Sequence, residues 1–485
     1  MSSVKKNFAY SSVLTISSYI FPLIVFPYVS RVLGVANIGI CNFVDSIISY
    51  FCMFSMMGLS ICGIREIATV KSDKKKLSQT FSSLVTISGI TTIIAAIVLL
   101  VTIQVVPKFH EHSNLMYIGL MKLVFNFFLI EWFYKGLEDF KYITVRSILI
   151  KIFYVISVFV FVRKAEDYWI YFLLTVFVVV VNALINLIHS RKYISFSIKG
   201  LALRPYLSAF FILGIYLLTT SLYTTFNTAY LGIVSTDEEV GYYSTAHKLY
   251  MIIIALYTAF TGVMMPRMSS LLSEGKIEEF KKYINKSVEV LFSIAVPVIV
   301  VSCVFSSEII RVLSGEGYEG AVIPMQIMMP LILIIGYEQV LIVQTLMPLN
   351  KDKIIFRNSV IGAIAGVALN FLIVKQMAAI GSSIVWFVCE LVVMSLAQIY
   401  VQKLISIRFP FKALLINIVA NLPLLVICYF IHIWVVNAFV TLAIAGVIFA
   451  VYFVLMQLIF FKDSVASSML LRAINKMATI SNKVK

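Results

Sequence analysis

The chain has 485 residues, of which 61% are hydrophobic and only 13% charged, with a mean hydropathy of +0.99 and a formal net charge of +16. A soluble core of this size cannot hide so much apolar surface, so the composition excludes a soluble globular protein and indicates one embedded in a membrane. The excess of basic residues would also suit a nucleic-acid-binding protein, and only the position of those residues separates the two interpretations.

Apolar runs long enough to cross a membrane follow one another along the whole chain. A membrane-spanning helix needs about 20 mostly apolar residues. The sequence predicts fourteen spans, at 8–29, 38–62, 80–106, 115–135, 142–163, 169–189, 207–234, 242–265, 284–305, 323–348, 357–377, 381–401, 413–435 and 439–461. The longest other stretches, 266–283 and 462–485, are too short for a separate domain, so we expect no attached catalytic module.

The positions of the basic residues favour a membrane protein over a nucleic-acid-binding one. If the N-terminus is cytoplasmic and the spans alternate, most lysines and arginines fall in inside loops, as at Lys74, Lys75 and Lys76. Outside loops are short and acidic, as at Asp237 and Glu238. This asymmetry is the positive-inside pattern. We therefore expect a multi-pass protein with both termini in the cytoplasm and no nucleic-acid partner.

The cysteines indicate neither a disulfide framework nor a metal site. All six lie inside apolar runs, with no CxxC pair and no His/Cys group at metal-ligand spacing. Cysteines in such positions pack as small apolar residues. We expect no bound metal and no cofactor.

The chain also repeats itself weakly. Leu33, Gly34, Gly39, Asp45 and Arg65 align with Leu231, Gly232, Gly241, His247 and Arg267, and the second glycine precedes the arginine by 26 residues in both copies. Both copies continue into a basic inside loop and a further span, so the repeat is parallel. We predict an all-α membrane protein of about 14 transmembrane helices. It would comprise an N-terminal lobe of spans 1–6 (1–204), a C-terminal lobe of spans 7–12 (205–412), spans 13 and 14 (413–461) and a cytoplasmic tail (462–485).

Several of these segments resemble a family of transporters. They read RVLG at 31–34, GIREIA at 63–68, EWFYKGLEDF at 131–140 and GYYSTAHKL at 241–249. Together with Gly39, Gly58 and the number of spans, they are similar to polysaccharide flippases of the multidrug/oligosaccharidyl-lipid/polysaccharide superfamily. The resemblance implies two six-helix lobes around a central cavity that opens alternately to each side.

The resemblance also implies a transporter rather than an enzyme. Its cargo would be an undecaprenyl-diphosphate-linked oligosaccharide repeat unit of the O-antigen (lipopolysaccharide) or capsule type, moved from the cytoplasmic to the outer leaflet of the bacterial inner membrane. Implied partners are membrane lipid, the polymerase and chain-length proteins of the same pathway, and H⁺ or Na⁺ as coupling ion. In related peptidoglycan-precursor flippases the arginine at the end of span 1 belongs to a cationic cavity. Arg31 matches that position, whereas the counterpart in the second half is Ala229.

Cations inside apolar runs are the candidate substrate-binding residues. A charge in the hydrocarbon region costs several kcal/mol unless it is paired or faces water. Lys122, Lys151 and Lys248 lie within spans, and Arg31 lies on the outside, where basic residues are scarce. Because ammonium and guanidinium groups shielded from water bind phosphate oxygens strongly, we predict that these four bind the diphosphate. The alternatives are ion pairs that hold the bundle together and, for Arg31, a snorkelling side chain.

A polar stripe on span 7 is a candidate sugar-binding surface. It consists of Thr220, Tyr223, Thr224, Asn227 and Thr228, and we select Thr224 and Asn227 as substrate-binding residues. Hydroxyls and amides along one helical face suit hydrogen bonding to sugars in a wet cavity. Contact between helices through small polar residues is the alternative.

Titratable residues within the spans are candidates for ion coupling or gating. They are Asp45, Glu131, His247, Glu338 and Glu390. Asp45 and His247 occupy equivalent repeat positions, and histidine titrates near neutral pH, which suggests a proton-linked gate. Buried hydrogen-bonded pairs or unrelated polar residues are the alternatives.

Two other functions remain as alternatives. A multidrug or cation exporter of the same superfamily would be expected to carry an acidic residue in span 1, but span 1 has none and ends near Arg31. A sugar polymerase or ligase would need a substantial outside loop with catalytic groups. The longest outside loop, 306–322, is short, which disfavours an enzyme.

Overall fold

The computed structural model describes residues 4–196, 201–222 and 225–459, which are predominantly helical and contain no strand. Eleven helices among these residues are long and apolar enough to cross a membrane. Two of them, Ala9–Val70 with 62 residues and Asp352–Ile405 with 54, are long enough for two crossings each. Together with the shorter apolar helix Arg204–Thr219, they account for the fourteen predicted spans, and the all-α membrane fold is confirmed.

The helices keep the order of the predicted spans. Their bounds are Val4–Met56 and Leu59–Val70 (spans 1 and 2), Lys74–Val105 (span 3), Ser113–Phe127 (span 4), Phe140–Phe161 (span 5), Tyr168–Ser190 (span 6), Arg204–Ser221 and Phe226–Val234 (span 7), Asp237–Ser273 (span 8), Ile277–Val304 (span 9), Val322–Met328 and Leu331–Leu341 (span 10), Asp352–Leu369 (span 11), Lys375–Ile405 (span 12), Phe411–Ala420 and Leu422–Trp434 (span 13) and Ala438–Ile459 (span 14). Short helices lie between spans at Pro107–Glu111, Glu131–Gly136 and Ser306–Ser314.

Span 4 is interrupted inside its predicted bounds. It runs from Ser113 to Gly136, close to the predicted 115–135, and is broken after Phe127, because Ile130 adopts a left-handed conformation with φ 33° and a separate short helix begins at Glu131. The end of span 8 lies beyond its predicted bound. The inside loop expected at 266–283 shrinks to 274–276, because the helix of span 8 continues through Pro266 to Ser273. Proline is tolerated inside membrane helices when neighbouring groups satisfy the freed backbone carbonyl.

Each of the two double-length helices is kinked at a single residue with non-helical dihedral angles. Gly34 has φ 76° and ψ 169° between spans 1 and 2. Ala378 has φ 45° and ψ −123° between spans 11 and 12. Both conformations belong to regions that glycine adopts readily and other residues adopt only with strain. The conformation at Gly34 therefore suits glycine, whereas Ala378 is strained.

The chain divides into two compact units whose boundaries fall inside helices. Unit 1 comprises Met1–Ser244 and Gly366–Ser382, and unit 2 comprises Thr245–Ala365 and Ser383–Lys485. Unit 1 has one apolar core around Trp132 and Phe133 and another where span 1 packs on span 5. A core of unit 2 joins Phe305 to spans 13 and 14 through Leu424 and Cys428. The predicted lobes, 1–204 and 205–412, stay a prediction.

Glycines of the repeat let backbones approach closely within unit 1. A Cβ on Gly39 would lie 1.7 Å from the carbonyl oxygen of Asp237, and one on Gly241 would lie 2.3 Å from that of Val35. No side chain fits at either distance. The equivalent glycines of the two copies therefore pack the start of span 8 against the start of span 2, as small residues do in membrane helix pairs.

Replacing Gly34 by alanine and Ala378 by glycine tests the backbone conformation at the two kinks. Gly34→Ala adds a Cβ in open space but forces alanine into a glycine conformation, so we expect it to lower the stability by about 1 to 3 kcal/mol. Ala378→Gly removes the corresponding strain and should raise the stability by about 1 kcal/mol. Thermal unfolding midpoints of the purified variants measure both effects.

Gly262→Ala is the matched control. Gly262 lies inside the helix of span 8, and a Cβ there also meets open space, so its midpoint should stay level or rise slightly. If Gly34→Ala behaved like Gly262→Ala, the backbone explanation would be wrong.

Candidate functional site

An ion pair inside unit 1 joins two of the predicted site residues. The Lys122 ammonium on span 4 donates to Asp45 Oδ1 on span 2 at 2.5 Å, and the two side chains are 21% and 43% exposed. Lys122 sits in the middle of its helix, which runs from Ser113 to Phe127. The carboxylate partner makes an ammonium tolerable at that depth.

This ion pair borders a cavity of about 430 Å³ in unit 1. Its polar lining includes Ser49, Ser60, Lys122, Asn126, Glu131 and Lys135, and methionines of span 2 form much of its apolar wall. The break at Ile130 turns the chain so that Glu131 and Lys135, one turn apart in the next short helix, line the same space. The cavity therefore offers two ammonium groups, hydroxyls and an amide.

A buried guanidinium holds Glu131 in place. Arg146 on span 5 is 6% exposed, and its Nη2 donates to Glu131 Oε1 at 2.8 Å and to Ser147 Oγ at 3.2 Å. Its Nη1 donates to Asn186 Oδ1 on span 6. Asn186 in turn donates through Nδ2 to the Leu129 carbonyl, at the break after span 4. Spans 4, 5 and 6 are thus tied together beside the cavity by one charged group.

Arg146 and Lys135 are the site residues that sequence reasoning missed. Both lie within a few residues of predicted span ends, where arginine and lysine are expected on the inside. Arg146 occurs only four residues after the start of predicted span 5, where an arginine is also explained by the positive-inside pattern. Its position one turn beyond Tyr142 and five residues before Lys151, inside the predicted span, is the signal that could have identified it.

The other predicted cation of unit 1 inside a span binds hydroxyl groups. Lys151 on span 5 donates to Ser17 Oγ and to Ser18 Oγ, each at 3.0 Å. These serines lie one turn before Pro22, which lacks the N–H that would bond the Ser18 carbonyl. The ammonium therefore lies beside a polar stretch of span 1 that precedes Pro22, outside the 430 Å³ cavity.

The Arg31 side chain folds back against its own helix. Its side chain is exposed, and Nη1 donates to the Pro27 carbonyl one turn earlier at 2.6 Å. Arg31 is not among the residues that line the 430 Å³ cavity. Its role in substrate binding stays a prediction.

The predicted polar stripe on span 7 is only partly visible. Thr224 and Tyr223 lie outside the described residues, as does the side chain of Thr220. Asn227 is fully buried, where its Oδ1 accepts from Asn370 Nδ2 at 2.7 Å and its Nδ2 donates to the Ser382 carbonyl at 3.5 Å. This geometry supports the alternative of helix contact, and sugar binding by Asn227 stays a prediction.

Unit 2 brings together three of the predicted coupling residues in one cluster. The carboxyl groups of Glu338 on span 10 and Glu390 on span 12 lie within hydrogen-bonding reach of each other, and Glu390 also accepts from Trp386 Nε1 at 2.9 Å. The Trp386 ring lies 4.9 Å from the rings of both His247 and Tyr250 on span 8. Because two carboxylates offer only acceptors, contact between them is favourable only when one holds a proton.

Asp45 and His247 occupy equivalent positions in the two copies of the repeat, but their surroundings in the structure differ. Asp45 binds Lys122 in unit 1, whereas His247 packs on Trp386 in unit 2. Lys248 follows His247 on span 8 and is half-buried. A gate formed by Asp45 and His247 and a substrate contact by Lys248 stay predictions.

A multi-pass helical protein with ionised side chains around an intramembrane cavity has the architecture of a membrane transporter. Residues 4–272 match the family model described as "Polysaccharide biosynthesis protein", and residues 212–372 match that of MatE. The first match covers more than half of the chain, which therefore belongs to the polysaccharide biosynthesis protein family. The predicted relationship to polysaccharide flippases of the multidrug/oligosaccharidyl-lipid/polysaccharide superfamily is confirmed.

Individual relatives agree with this family. A protein of Escherichia coli (strain K12) described as "Putative O-antigen transporter" is 26% identical over 404 residues, covering 83% of this chain and 97% of the relative. The lipid II flippase MurJ in an inward closed conformation superposes with a TM-score of 0.77 at 14% identity, covering 94% of this chain and 99% of MurJ. An inward-facing multidrug resistance MATE family transporter gives 0.63 at 11% identity, covering 80% of this chain and 94% of that transporter. The two structural likenesses show a shared fold.

Removal of the buried guanidinium tests the network beside the cavity. Arg146→Met removes the donor of Asn186 Oδ1 and the nearer cation of Glu131, which keeps only Lys135 at 3.8 Å among the described residues. We expect a loss of up to about 3 to 5 kcal/mol. The control Arg65→Met removes a guanidinium that is 62% exposed and paired only with neighbouring Glu66, and should cost less than about 1 kcal/mol. Thermal unfolding midpoints of the two purified variants provide the comparison.

The double variant Arg146→Met/Glu131→Gln removes both charges and should recover part of the loss. Equal midpoints for Arg146→Met and Arg65→Met would show that the buried network does not hold these spans together.

Proposed function

We propose that the protein is a flippase that moves an undecaprenyl-diphosphate-linked oligosaccharide repeat unit, of the O-antigen or capsule type, from the cytoplasmic to the outer leaflet. It acts by alternating access in the bacterial inner membrane, with both termini in the cytoplasm. Membership of the polysaccharide biosynthesis protein family supports the class of cargo. The observation that carries the proposal is the cavity of unit 1, because it brings Lys122, in the middle of span 4, and Lys135 together with hydroxyl and amide groups.

The groups of this cavity suit a phosphorylated sugar. Ammonium groups shielded from bulk water form strong charge-assisted hydrogen bonds to phosphate oxygens. Lys122 is held by a single carboxylate, Asp45, and a diphosphate with its greater negative charge can replace that partner. Ser49, Ser60 and Asn126 offer donors and acceptors for sugar hydroxyls. Binding of the headgroup then shifts the balance between the inward-open and outward-open states.

The carboxyl pair of unit 2 supplies a site for the coupling ion. Glu390 is 5% exposed and Glu338 is partly buried. Their carboxyl groups lie within hydrogen-bonding reach of each other, so a single proton between them removes their repulsion. Release of that proton leaves two negative charges side by side, which favours a conformation that separates or hydrates them. We therefore assign proton coupling to this pair, beside His247 and Trp386.

Deletion of the protein tests the direction and class of cargo. Cells that lack it should accumulate the lipid-linked repeat unit on the cytoplasmic leaflet, because synthesis continues while translocation stops. Extraction of the lipid fraction and accessibility to an externally added sugar-modifying enzyme measure amount and sidedness. Accumulation on the outer leaflet would instead indicate a polymerase or ligase, and unchanged lipid-linked sugars with greater sensitivity to cationic drugs would indicate a drug exporter.

Neutralising the cavity lysines tests headgroup binding. Lys122→Gln and Lys135→Gln should each weaken binding of undecaprenyl diphosphate to the purified protein by about 10-fold, since each removes a charge-assisted hydrogen bond of about 1.5 to 3 kcal/mol. The control Lys141→Gln removes an exposed lysine at the start of span 5 and should leave affinity nearly unchanged. Equal affinity in all three variants would remove the cavity from the binding mechanism.

Replacing the unit 2 carboxyls tests coupling. Glu390→Gln keeps a hydrogen-bonding group of the same size but cannot release a proton, so transport by reconstituted vesicles should lose its response to an imposed pH gradient. Glu289→Gln, an exposed acid on span 9, should respond like the unaltered protein. A retained pH response in Glu390→Gln would exclude this pair, and a Na⁺ gradient that restores transport would identify sodium as the coupling ion.

A further inference from the structure

A second cavity of unit 1, of about 570 Å³, lies where three predicted inside loops meet. Its charged and polar lining comes from Lys71, Ser72 and Lys74 between spans 2 and 3, from Glu138 and Asp139 before span 5, and from Lys192 and Tyr193 after span 6. Leu77 and Leu137 form its apolar wall. It shares no lining residue with the 430 Å³ cavity.

The acidic residues of this second cavity are already engaged. Lys71 Nζ donates to Glu138 Oε1 at 2.8 Å. Asp139 accepts from the Tyr142 backbone N–H and from the Tyr193 hydroxyl at 3.1 Å. Burial, together with the charge of Asp139, raises the pKa of the Tyr193 hydroxyl to about 12, so it remains a donor at neutral pH.

Two lysines of the second cavity remain without an acidic counterpart. Among the described residues, no carboxylate lies within ion-pairing distance of Lys74 or Lys192. The Lys192 ammonium lies 5.7 Å from the centre of the Tyr193 ring. Three lysines and two carboxylates line the cavity, so its lining carries a net formal charge of +1.

The start of span 3 adds to this positive charge. Its helix begins with Lys74, Lys75 and Lys76, and no acidic residue occupies its first turn. The N-terminus of a helix carries the positive end of the helix dipole, where cations are unfavourable and anions are stabilised. Asp73 caps the Lys75 and Lys76 backbone amides, which leaves the three ammonium groups uncompensated except for a 3.9 Å contact of Lys76 with Asp73. An external anion at this position would relieve the repulsion.

We propose that the second cavity binds the phosphate group of an acidic phospholipid of the cytoplasmic leaflet. Lys74 and Lys192 bind the phosphate, and Leu77 and Leu137 contact the glycerol and the first carbons of the acyl chains. Basic pockets between membrane helices on the cytoplasmic side commonly bind anionic headgroups. The apolar wall favours a lipid over a free phosphate ion, which brings no carbon atoms to bury. The site is separate from the cavity assigned to the transported headgroup, and it depends on the predicted orientation of the spans.

Binding of short-chain phosphatidylglycerol to the purified full-length protein in detergent tests this site. Lys74→Gln/Lys192→Gln should weaken binding about 25-fold, at roughly 5-fold for each lysine. The matched control Lys75→Gln/Lys76→Gln removes the same amount of charge, from the helix turn of Lys74 but outside the cavity, and should weaken binding less than about 3-fold. Glu138→Gln, which removes an opposing carboxylate, should strengthen it. All of these side chains lie at the surface, so the variants should fold, and gel filtration checks this.

Three results would overturn the proposal. Equal losses in the two double variants would show diffuse attraction to a basic surface, and equal binding of phosphatidylcholine would show that the phosphate charge is not recognised. Inorganic phosphate that displaces the lipid at similar concentration would identify a site for the free ion. Because the transported headgroup is assigned to Lys122 and Lys135, Lys74→Gln/Lys192→Gln should leave binding of undecaprenyl diphosphate unchanged. A parallel loss would make the second cavity part of the transport site.

Discussion

An ionised side chain at membrane depth must find a partner, and this requirement organises unit 1. Lys122 binds Asp45, Arg146 binds Glu131 and Asn186, and Lys151 binds two serine hydroxyls. Each contact joins different helices. The Lys122 pair joins span 4 to span 2, Arg146 joins span 5 to span 6 and to the short helix of Glu131, and Lys151 joins span 5 to span 1. Charges that would be costly alone therefore fix how the helices of this unit pack.

The same pairing makes the charged groups suitable for binding. Arg146 is almost completely buried and both of its terminal nitrogens donate to protein partners, so it is a positioning group for Glu131. Lys122 is partly exposed, has one carboxylate partner and borders a cavity, so its ammonium can change partners at modest cost. The difference between a charge that holds helices together and one that meets a ligand is thus a difference in burial and in the number of partners.

Sequence reasoning predicted the fold and part of the site. The fourteen spans followed from hydropathy, because about 20 apolar residues are the physical requirement for crossing. Lys122, Asp45 and Glu131 were identified because charges are rare inside apolar runs. Arg146 was missed because span ends are uncertain by several residues. The pairing of Lys122 with Asp45, and the break at Ile130 that brings Lys135 beside them, depend on contacts between distant segments that hydropathy does not encode.

The kink at Gly34 determines how spans 1 and 2 can move relative to each other. Spans 1 and 2 are joined without a flexible linker, since the helix continues on both sides of one glycine. Any change in the angle between these spans must be absorbed by the dihedral angles of that glycine and its immediate neighbours, which makes it a hinge. Gly39, only five residues further on, is locked against the backbone at Asp237. Bending is thereby confined to a segment shorter than two helical turns, and span 2 has to swing together with the start of span 8.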